Sequence, residues 1–403
     1  MPPLVLFESI SGRLQTGSIM DPRQRAALPT LSRQFLSALC QRAATKEDRA
    51  GPVARPDVPS EVAAMLRVYI ARRLGIGPVK LHVEPQELPD GWETYNYAFQ
   101  FAANSSLPEG LARPLILRIF AHRNGLPRAR HEWAVLTHLD HLGFPVTQPL
   151  LLEESCNYFG GPFLLRARSQ GPTLLRSALN KPWTVWSAGE RMGKMHAWLH
   201  QLPISGFPAP PGSFLGRSLR DMTQVIAEGD CQGLQPGLQW LSDHRPSPPV
   251  RASILHLDFH PLNLIEQADR SLVAIDWTEA DVGDPHADVG TTRMLLACIQ
   301  PKHVTALDRL GLFAGGLFFR RRYLIGYRRC LPIDKARLVY YQAWAALRRL
   351  CHYSRWLRAS PAVTGCKPSA LEQLSGDHVH TLEAYFQKWT GTPVHLDADS
   401  LKG

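Results

Sequence analysis

The stretch HLDFHPLNLIEQADRSLVAIDW, residues 256–277, restricts this chain more than any other. It reads as strand sequence, yet its first eight positions hold two histidines, an aspartate and an asparagine. Buried polar groups each need a partner, so four in one place ask for a common task. NLIE and SLVAIDW read as two strands joined by the short turn QADR. A four-residue loop faces Glu266 with Ser271 and Asn263 with Ala274. Asp276, two positions further on, then points to the same face as Asn263. Diagonal neighbours across a hairpin lie roughly 7–8 Å apart. Two such oxygens can hold one hard cation, and Mg²⁺ fits because it leaves room for water and phosphate. Asp258 stands five residues before Asn263, beyond a turn set by Pro261. It is placed to reach a reacting hydroxyl rather than the metal.

A second pattern points to phosphate. Arg118 is the single charge in the apolar strand LILRIF, and a half-buried guanidinium needs an anion. In the following helix Glu132, Val135, Leu136 and Leu139 recur at helical spacing, so Glu132 heads the apolar stripe and points inward. An inward acid and an inward base in adjacent elements pair, and such a pair can hold a cation against nucleotide phosphates. A purely structural ion pair fits the same residues.

The rest of the chain organises around these patterns. Residues 1–56 show weak periodicity and read as a poorly ordered extension, with one helix around LSRQFLSALCQRA. PSEVAAMLRVYIARRLG is a helix stopped by Gly75. The segments VKLHVEPQEL, YNYAFQFA, PLILRIF, VTQPLLLE and GPFLLRAR read as strands, and RARHEWAVLTHLDHLGFP as a helix among them. From Lys181 onward helices dominate, AGERMGKMHAWLHQL being the clearest. A strand-rich first part and a helix-rich second part predict an α+β fold of two lobes, residues 57–168 and 169–390, with a tail over 391–403.

Bulk properties set limits. With 44% apolar and 20% charged residues the composition is that of a soluble globular protein. Seven cysteines are an odd number and form no C-x-x-C, which argues against a disulfide framework or zinc ribbon and for a reducing compartment, the cytoplasm. MPPLVLF lacks the features of a secretory signal. LGLFAGGLFF is too short to span a bilayer, so no membrane span is expected. The net charge of +10 is uneven: residues 301–360 carry thirteen Lys or Arg against two Asp, a local +11, so the remainder sums to −1. That local excess bears on the partner.

The motif H-x-D-x-x-x-x-N followed by I-D-W resembles that of the aminoglycoside phosphotransferase and choline kinase group, which has a protein-kinase-like fold. It is carried here by His256, Asp258, Asn263, Ile275, Asp276 and Trp277. GDPHADVG, with Gly283, Asp284, Pro285 and Asp288, is similar to the group's G-D-P-x-x-D. GWETYNYAFQF resembles its nucleotide-loop hairpin, GPFLLRARSQGPTL its hinge strand, and MGKMHAWLH, with His196, the helix after the hinge. The resemblance covers roughly residues 57–360. It implies a small antiparallel-sheet lobe, a mainly helical second lobe and transfer of the ATP or GTP γ-phosphate to a small-molecule hydroxyl. It further implies Asp258 as catalytic base and Asn263 and Asp276 as Mg²⁺ ligands. Arg118, Glu132, Leu165 and Ala167 become nucleotide-binding residues. Nucleic acid is not an expected partner. Leu257 stands where the group has glycine, Arg118 where it has lysine, and GWETYN holds one glycine.

Other readings compete. Asp258, Asn263 and Asp276, taken singly, suit turns and caps. His256, Asp258 and His260 alternate as zinc ligands can, but no third histidine stands at useful spacing. GERMGK is not a P-loop, because only three residues separate its glycines. A catalytically weak nucleotide-binding module of this fold is one alternative. A protein kinase is another, although neither D-F-G nor A-P-E occurs. For the acceptor, the segment 301–360 is informative. In KARLVYYQAWAALRRLCHYSRWLR, Leu338, Tyr341, Trp344 and Ala345 form an apolar stripe with Arg348 and Arg349 at its flank. Tyr340, Tyr341, Trp344 and Tyr353 are candidates to line an acceptor pocket. Such a cleft would repel a polycation, so a neutral or anionic acceptor is expected.

Overall fold

The five strands expected in the first lobe pair into one antiparallel sheet. They are β1 (Leu81–Leu88), β2 (Tyr95–Phe101), β3 (Leu115–Ile119), β4 (Pro149–Glu153) and β5 (Phe163–Ala167), in the order β1-β2-β3-β5-β4. The structure is a computed structural model, and it describes residues 53–397 except 89–92, 104–106, 123–124, 230, 250, 299–305 and 359–375. The helix read over LSRQFLSALCQRA, and Gly91 and Trp92 of the nucleotide-loop segment, lie outside the described residues.

Alternation divides the sheet into two faces. Leu115, Leu117, Ile119 and Leu165 face helix α1 (Pro59–Leu74), whose Val62, Leu66, Tyr69 and Ile70 complete one apolar core. Gly75 ends α1 at φ 65°, the left-handed cap its lack of Cβ allows. Arg118, Leu164 and Arg166 share the other face, against helix α2 (Gly125–His141). The last turns of α2 join a second core instead: Val135, Leu136 and Leu139 pack with residues of the helical body. One helix thus spans the seam between the lobes.

The second lobe comprises α3 (Leu174–Asn180), α4 (Val185–Gln201), α5 (Phe214–Glu228), α6 (Gln235–Asp243), α7 (Pro285–Cys298), α8 (Ala306–Arg328), α9 (Lys335–Arg358) and α10 (Gly376–Thr390). Two short antiparallel pairs lie on its cleft side. β6 (Ser253–Leu255) pairs with β9 (Asp281–Gly283), and β7 (Leu264–Glu266) with β8 (Leu272–Ala274). Helices α4 and α8 cross closely because their glycines meet: a Cβ on Gly193 would come within 2.1 Å of the Tyr323 carbonyl oxygen. GERMGK is therefore a helix-packing segment. Among the described residues no helix is long and apolar enough to cross a membrane.

Three expectations need correction. The β7–β8 register differs by one residue: Leu264, not Asn263, faces Ala274, and Glu266 faces Leu272. The turn holds one residue more than was counted. Residues 53–56, read as part of the extension, dock on the first lobe, where Ala54 N–H donates to the Tyr158 carbonyl at 2.9 Å and Tyr97 hydroxyl to that of Pro56 at 2.6 Å. The start of the tail is packed too, with Val394 and Leu396 buried in the core formed by α5, α6, α9 and α10. Both segments are too short and irregular to show periodicity.

Candidate active site

The loop after β6 is fixed from beneath. Asp288, fully buried in the first turn of α7, accepts the His256 N–H at 2.5 Å and the Leu257 N–H at 2.8 Å. His196 Nε2 and His200 Nε2 lie 3.0 and 3.3 Å from its Oδ2. The His196 and His200 Nδ1 atoms face the Tyr323 and Tyr327 hydroxyls at 2.8 and 2.7 Å. The Tyr327 hydroxyl donates to Nδ1 of His200, whose Nε2–H then serves Asp288. Burial pulls His200 down to about 4, which keeps it neutral. Burial would raise Asp288, but His196 and His200 hold it well below the usual carboxylate range. These three residues are types that bind metals. Here the carboxylate is already engaged by two amides, and the outer imidazole nitrogens face hydroxyls.

Leu257 takes φ 63°, a conformation in which L-residues with a Cβ are strained. Glycine would meet that demand directly. In this chain the leucine side chain is instead buried in the helical core, 2% exposed.

Asp258 follows, part-exposed at the cleft. Its Oδ2 accepts from Asn263 Nδ2 at 2.9 Å and lies 3.4 Å from His260 Nε2, and Arg349 Nη2 stands 3.3 Å from Oδ1. Burial acts to raise its pKa, but His260 and then Arg349 hold the carboxyl well below the ordinary range. It is therefore an anion at neutral pH.

Asn263 Nδ2 also donates to the Asp258 carbonyl at 3.0 Å. With the amide nitrogen so held, Oδ1 is the atom left to meet a cation. Ile275 N–H donates to the Asn263 carbonyl at 3.0 Å, so Ile275 and not Asp276 continues the ladder opposite Asn263. A one-residue slip alone would put Asp276 on the far face. The chain leaves the strand after Ala274, and Asp276 adopts φ 64°, so strand alternation no longer governs it. Asn263 and Asp276 therefore do not share a strand face, contrary to the expectation from spacing.

Asp276 Oδ1 accepts from Arg118 Nη2 at 3.0 Å and from Thr278 Oγ1 at 2.9 Å. Burial opposes its ionisation, but Arg118 and the Thr278 hydroxyl together lower the pKa. Arg118 also reaches Glu132 Oε1 at 3.2 Å, with both side chains buried. The inward pair thus meets, and it is joined across the cleft to Asp276. The sequence reading missed Arg166 beside it. This buried arginine on the same sheet face donates to Thr147 Oγ1 at 3.0 Å and acts electrostatically on Glu132. A lone charge in FLLRA was the same signal that exposed Arg118.

The other two expected nucleotide residues, Leu165 and Ala167, belong to β5. Leu165 is fully buried on the α1 face of the sheet and paired on both sides, to Leu117 and Leu151. Its side chain is turned away from Arg118. Ala167 ends β5, its N–H taken by the Gln148 carbonyl at 2.9 Å. It borders a cavity of about 1520 Å³ lined by residues 143–144, 146–148 and 266–268 among others, which does not include Arg118, Asp258, Asn263 or Asp276. The four aromatics expected at an acceptor pocket are likewise core residues: Tyr340, Tyr341, Trp344 and Tyr353 are each 3% exposed or less.

A chain of charges closes the cleft rim. Glu93 pairs with Arg128 and accepts from Trp356 Nε1 of α9 at 2.9 Å. Arg128 lies 3.5 Å from Glu279, which Arg348 also holds. Burial would raise Glu279, yet Arg348 and then His352 and Arg128 bring it down to about 2.

A five-stranded sheet above a helical body, with a loop-borne carboxylate at their seam, is the two-lobed architecture of the protein-kinase-like enzymes. Within that class the chain belongs to the phosphotransferase enzyme family, whose model matches residues 84–331, more than half of its length. A curated relative is acyl-CoA dehydrogenase family member 11 of Gallus gallus, 26% identical over 188 residues, which are 43% of this chain and 24% of that protein. The chain thus spans about a quarter of that relative. Among solved structures, a putative aminoglycoside phosphotransferase from Ralstonia eutropha JMP134 superposes with TM-score 0.55 at 16% identity, covering 82% of this chain and 98% of that one. A thermostable mutant of aminoglycoside phosphotransferase APH(4)-Ia, in ternary complex with ADP and hygromycin B, gives TM-score 0.54 at 14% identity over 81% and 98%. At such identities the likeness is one of fold.

Proposed function

We propose that this phosphotransferase moves the γ-phosphate of ATP, or GTP, to a hydroxyl of a small neutral or anionic molecule, with Mg²⁺. The observation that carries the reading is the convergence, at the seam of the lobes, of Asp258 hydrogen-bonded to Asn263 with Asp276 bonded to Arg118. In the proposed reaction the acceptor oxygen bonds to the γ-phosphorus and the bond to the β–γ bridging oxygen breaks. The nucleoside diphosphate leaves, and the hydroxyl proton passes to Asp258. Because Asp258 is strongly anionic, it acts first by orienting the hydroxyl and taking its proton late.

Asn263 Oδ1 and the Asp276 carboxylate form an all-oxygen donor set, which suits Mg²⁺. When bound, the ion offsets charge developing on the phosphates. Arg118, steered by Glu132, is assigned to the phosphates. Two lobes that meet near residue 168, with residues 53–56 docked on the first and Val394 and Leu396 packed into the second, and a cytoplasmic location belong to the same reading. The free thiols of Cys156, Cys231, Cys298, Cys330 and Cys351 fit a reducing compartment. The test is nucleotide affinity with and without Mg²⁺, in the wild type and in Asp276→Ala. Loss confined to the Mg²⁺-dependent affinity is expected. Equal loss in both conditions would make Asp276 structural.

A further inference from the structure

Several arginines of the basic segment pair with acids away from the reacting centre. Arg322 and Arg329 meet Glu190, Arg337 meets Asp284 at 2.6 Å, and Arg355 meets Asp221. Arg349 differs. Its Nη2 stands 3.3 Å from Oδ1 of Asp258, and its side chain is 21% exposed. Charge-assisted pairs usually close to about 2.7–2.9 Å, so this one is loose. It engages one of the five N–H donors of the guanidinium. Among the described residues, no second group accepts a hydrogen bond from Arg349.

We propose that Arg349 binds an anionic group of the acceptor, and that the acceptors are hydroxy compounds carrying a carboxylate or phosphate close to the reacting hydroxyl. The inference rests on the reading of Asp258 as the base. A hydroxyl can reach Asp258 Oδ1 only by sharing or displacing the Arg349 contact. Displacement by a neutral acceptor leaves a partly buried guanidinium with no hydrogen-bonded anion and only the attraction of Glu279, which Arg128 and Arg348 already engage, and that is costly. A cationic acceptor adds a like charge beside it. An acceptor that brings its own anion supplies the missing partner, and the planar fork of arginine fits a carboxylate or phosphate with two parallel bonds. Both groups of the ligand must then lie within reach of one guanidinium, which makes the pocket selective for neighbouring hydroxyl and anion.

The test uses the full chain with Mg²⁺ and ATP, and matched acceptors. One arm is a set of hydroxycarboxylates with their primary amides and the corresponding amino alcohols. The other is a set of sugar phosphates with the unphosphorylated sugars. Phosphorylation is read by mass spectrometry, and binding to the complex with a non-hydrolysable ATP analogue by calorimetry. The expected result is that anionic members of one arm bind and react preferentially, and the responding arm identifies the anion. Arg349→Met should raise their KM about 10–100-fold and erase the preference over the neutral analogues. Arg349→Lys should restore part of it, and nucleotide affinity in both variants guards against misfolding. Preference for neutral or cationic members, an unchanged preference in Arg349→Met, or a nucleotide-bound protein that takes no anionic member would each overturn the inference while leaving the phosphotransferase reading standing. Failure to bind nucleotide would remove both.

Discussion

At Leu257 two energies oppose each other in one residue. The backbone sits at φ 63°, where a Cβ costs roughly 1–2 kcal/mol. The side chain is buried in the helical core, where removing a leucine beyond Cβ costs about 2.7–5 kcal/mol. Burial wins, which explains how a leucine can occupy a left-handed position without breaking the loop. Two bonds to Asp288 hold its backbone and that of His256 in place. The prediction is an inverted order of substitutions. Leu257→Ala loses the packing and keeps the strain, while Leu257→Gly loses the packing and relieves the strain. Glycine should therefore be the better tolerated by about 1 kcal/mol in urea unfolding, and alanine proving the more stable would refute the account. At Asp258 the expectation concerns rate. Asp258→Asn keeps the shape and the bond to Arg349 but cannot take a proton. Turnover should fall about 10²–10⁴-fold with nucleotide affinity retained, as pre-steady-state measurement on a responding acceptor will show.

At the scale of elements, the inward pair joins a strand, a helix and a loop. Arg118 of β3 touches Glu132 of α2 and Asp276 beyond β8. Groups in one network respond jointly. Arg118→Met and Glu132→Gln should therefore be non-additive in nucleotide affinity, with a coupling on the order of 1 kcal/mol or more. A double-mutant cycle that closes to zero would show that the contact does not serve binding. Elements with clear periodicity were legible: α1, α2, α4 and all five strands of the sheet appear where the residue pattern put them. Helix α2 begins at Gly125, a turn earlier than read, because GLPR carries no apolar repeat to mark it. The β7–β8 hairpin was legible as a hairpin but not in register. A turn boundary one residue off changes every facing pair, and nothing in QADRS fixes that boundary from composition. Arg349 on Asp258 and Trp356 on Glu93 are contacts across 91 and 263 residues, so local spacing holds no trace of them.

The molecule as a whole keeps several histidines neutral in its interior, and that makes its stability depend on pH. Burial lowers His200 to about 4, lowers His256, and, with Arg348 beside it, takes His352 well below its ordinary value. In the unfolded chain each regains an ordinary pKa near 6.5. A base depressed on folding binds fewer protons in the native state, so acidification favours unfolding. The contribution is present in full above pH 6.5 and, for His200, is lost between about 6.5 and 4. Its size for this one residue is on the order of 3 kcal/mol. Buried carboxylates act lower down. Glu279, held at about 2, contributes stability above its unfolded value near 4.5 that fades as pH falls toward 2. Acid unfolding should therefore begin near pH 6.5, well before carboxylates titrate. Urea midpoints at pH 8, 7, 6 and 5, followed by circular dichroism, should decline across that range, and His200→Gln should flatten part of the slope. The opposite arrangement, in which Asp288 stabilises a charged His200, would raise the histidine's pKa and make the protein more stable on acidification from pH 8 to 6. The sign of the slope decides between the two. A positive slope, with stability rising as pH rises, is required if the Tyr327 hydroxyl and a neutral His200 donate in turn toward the Asp288 carboxylate, which also accepts from the backbone of the loop bearing Asp258.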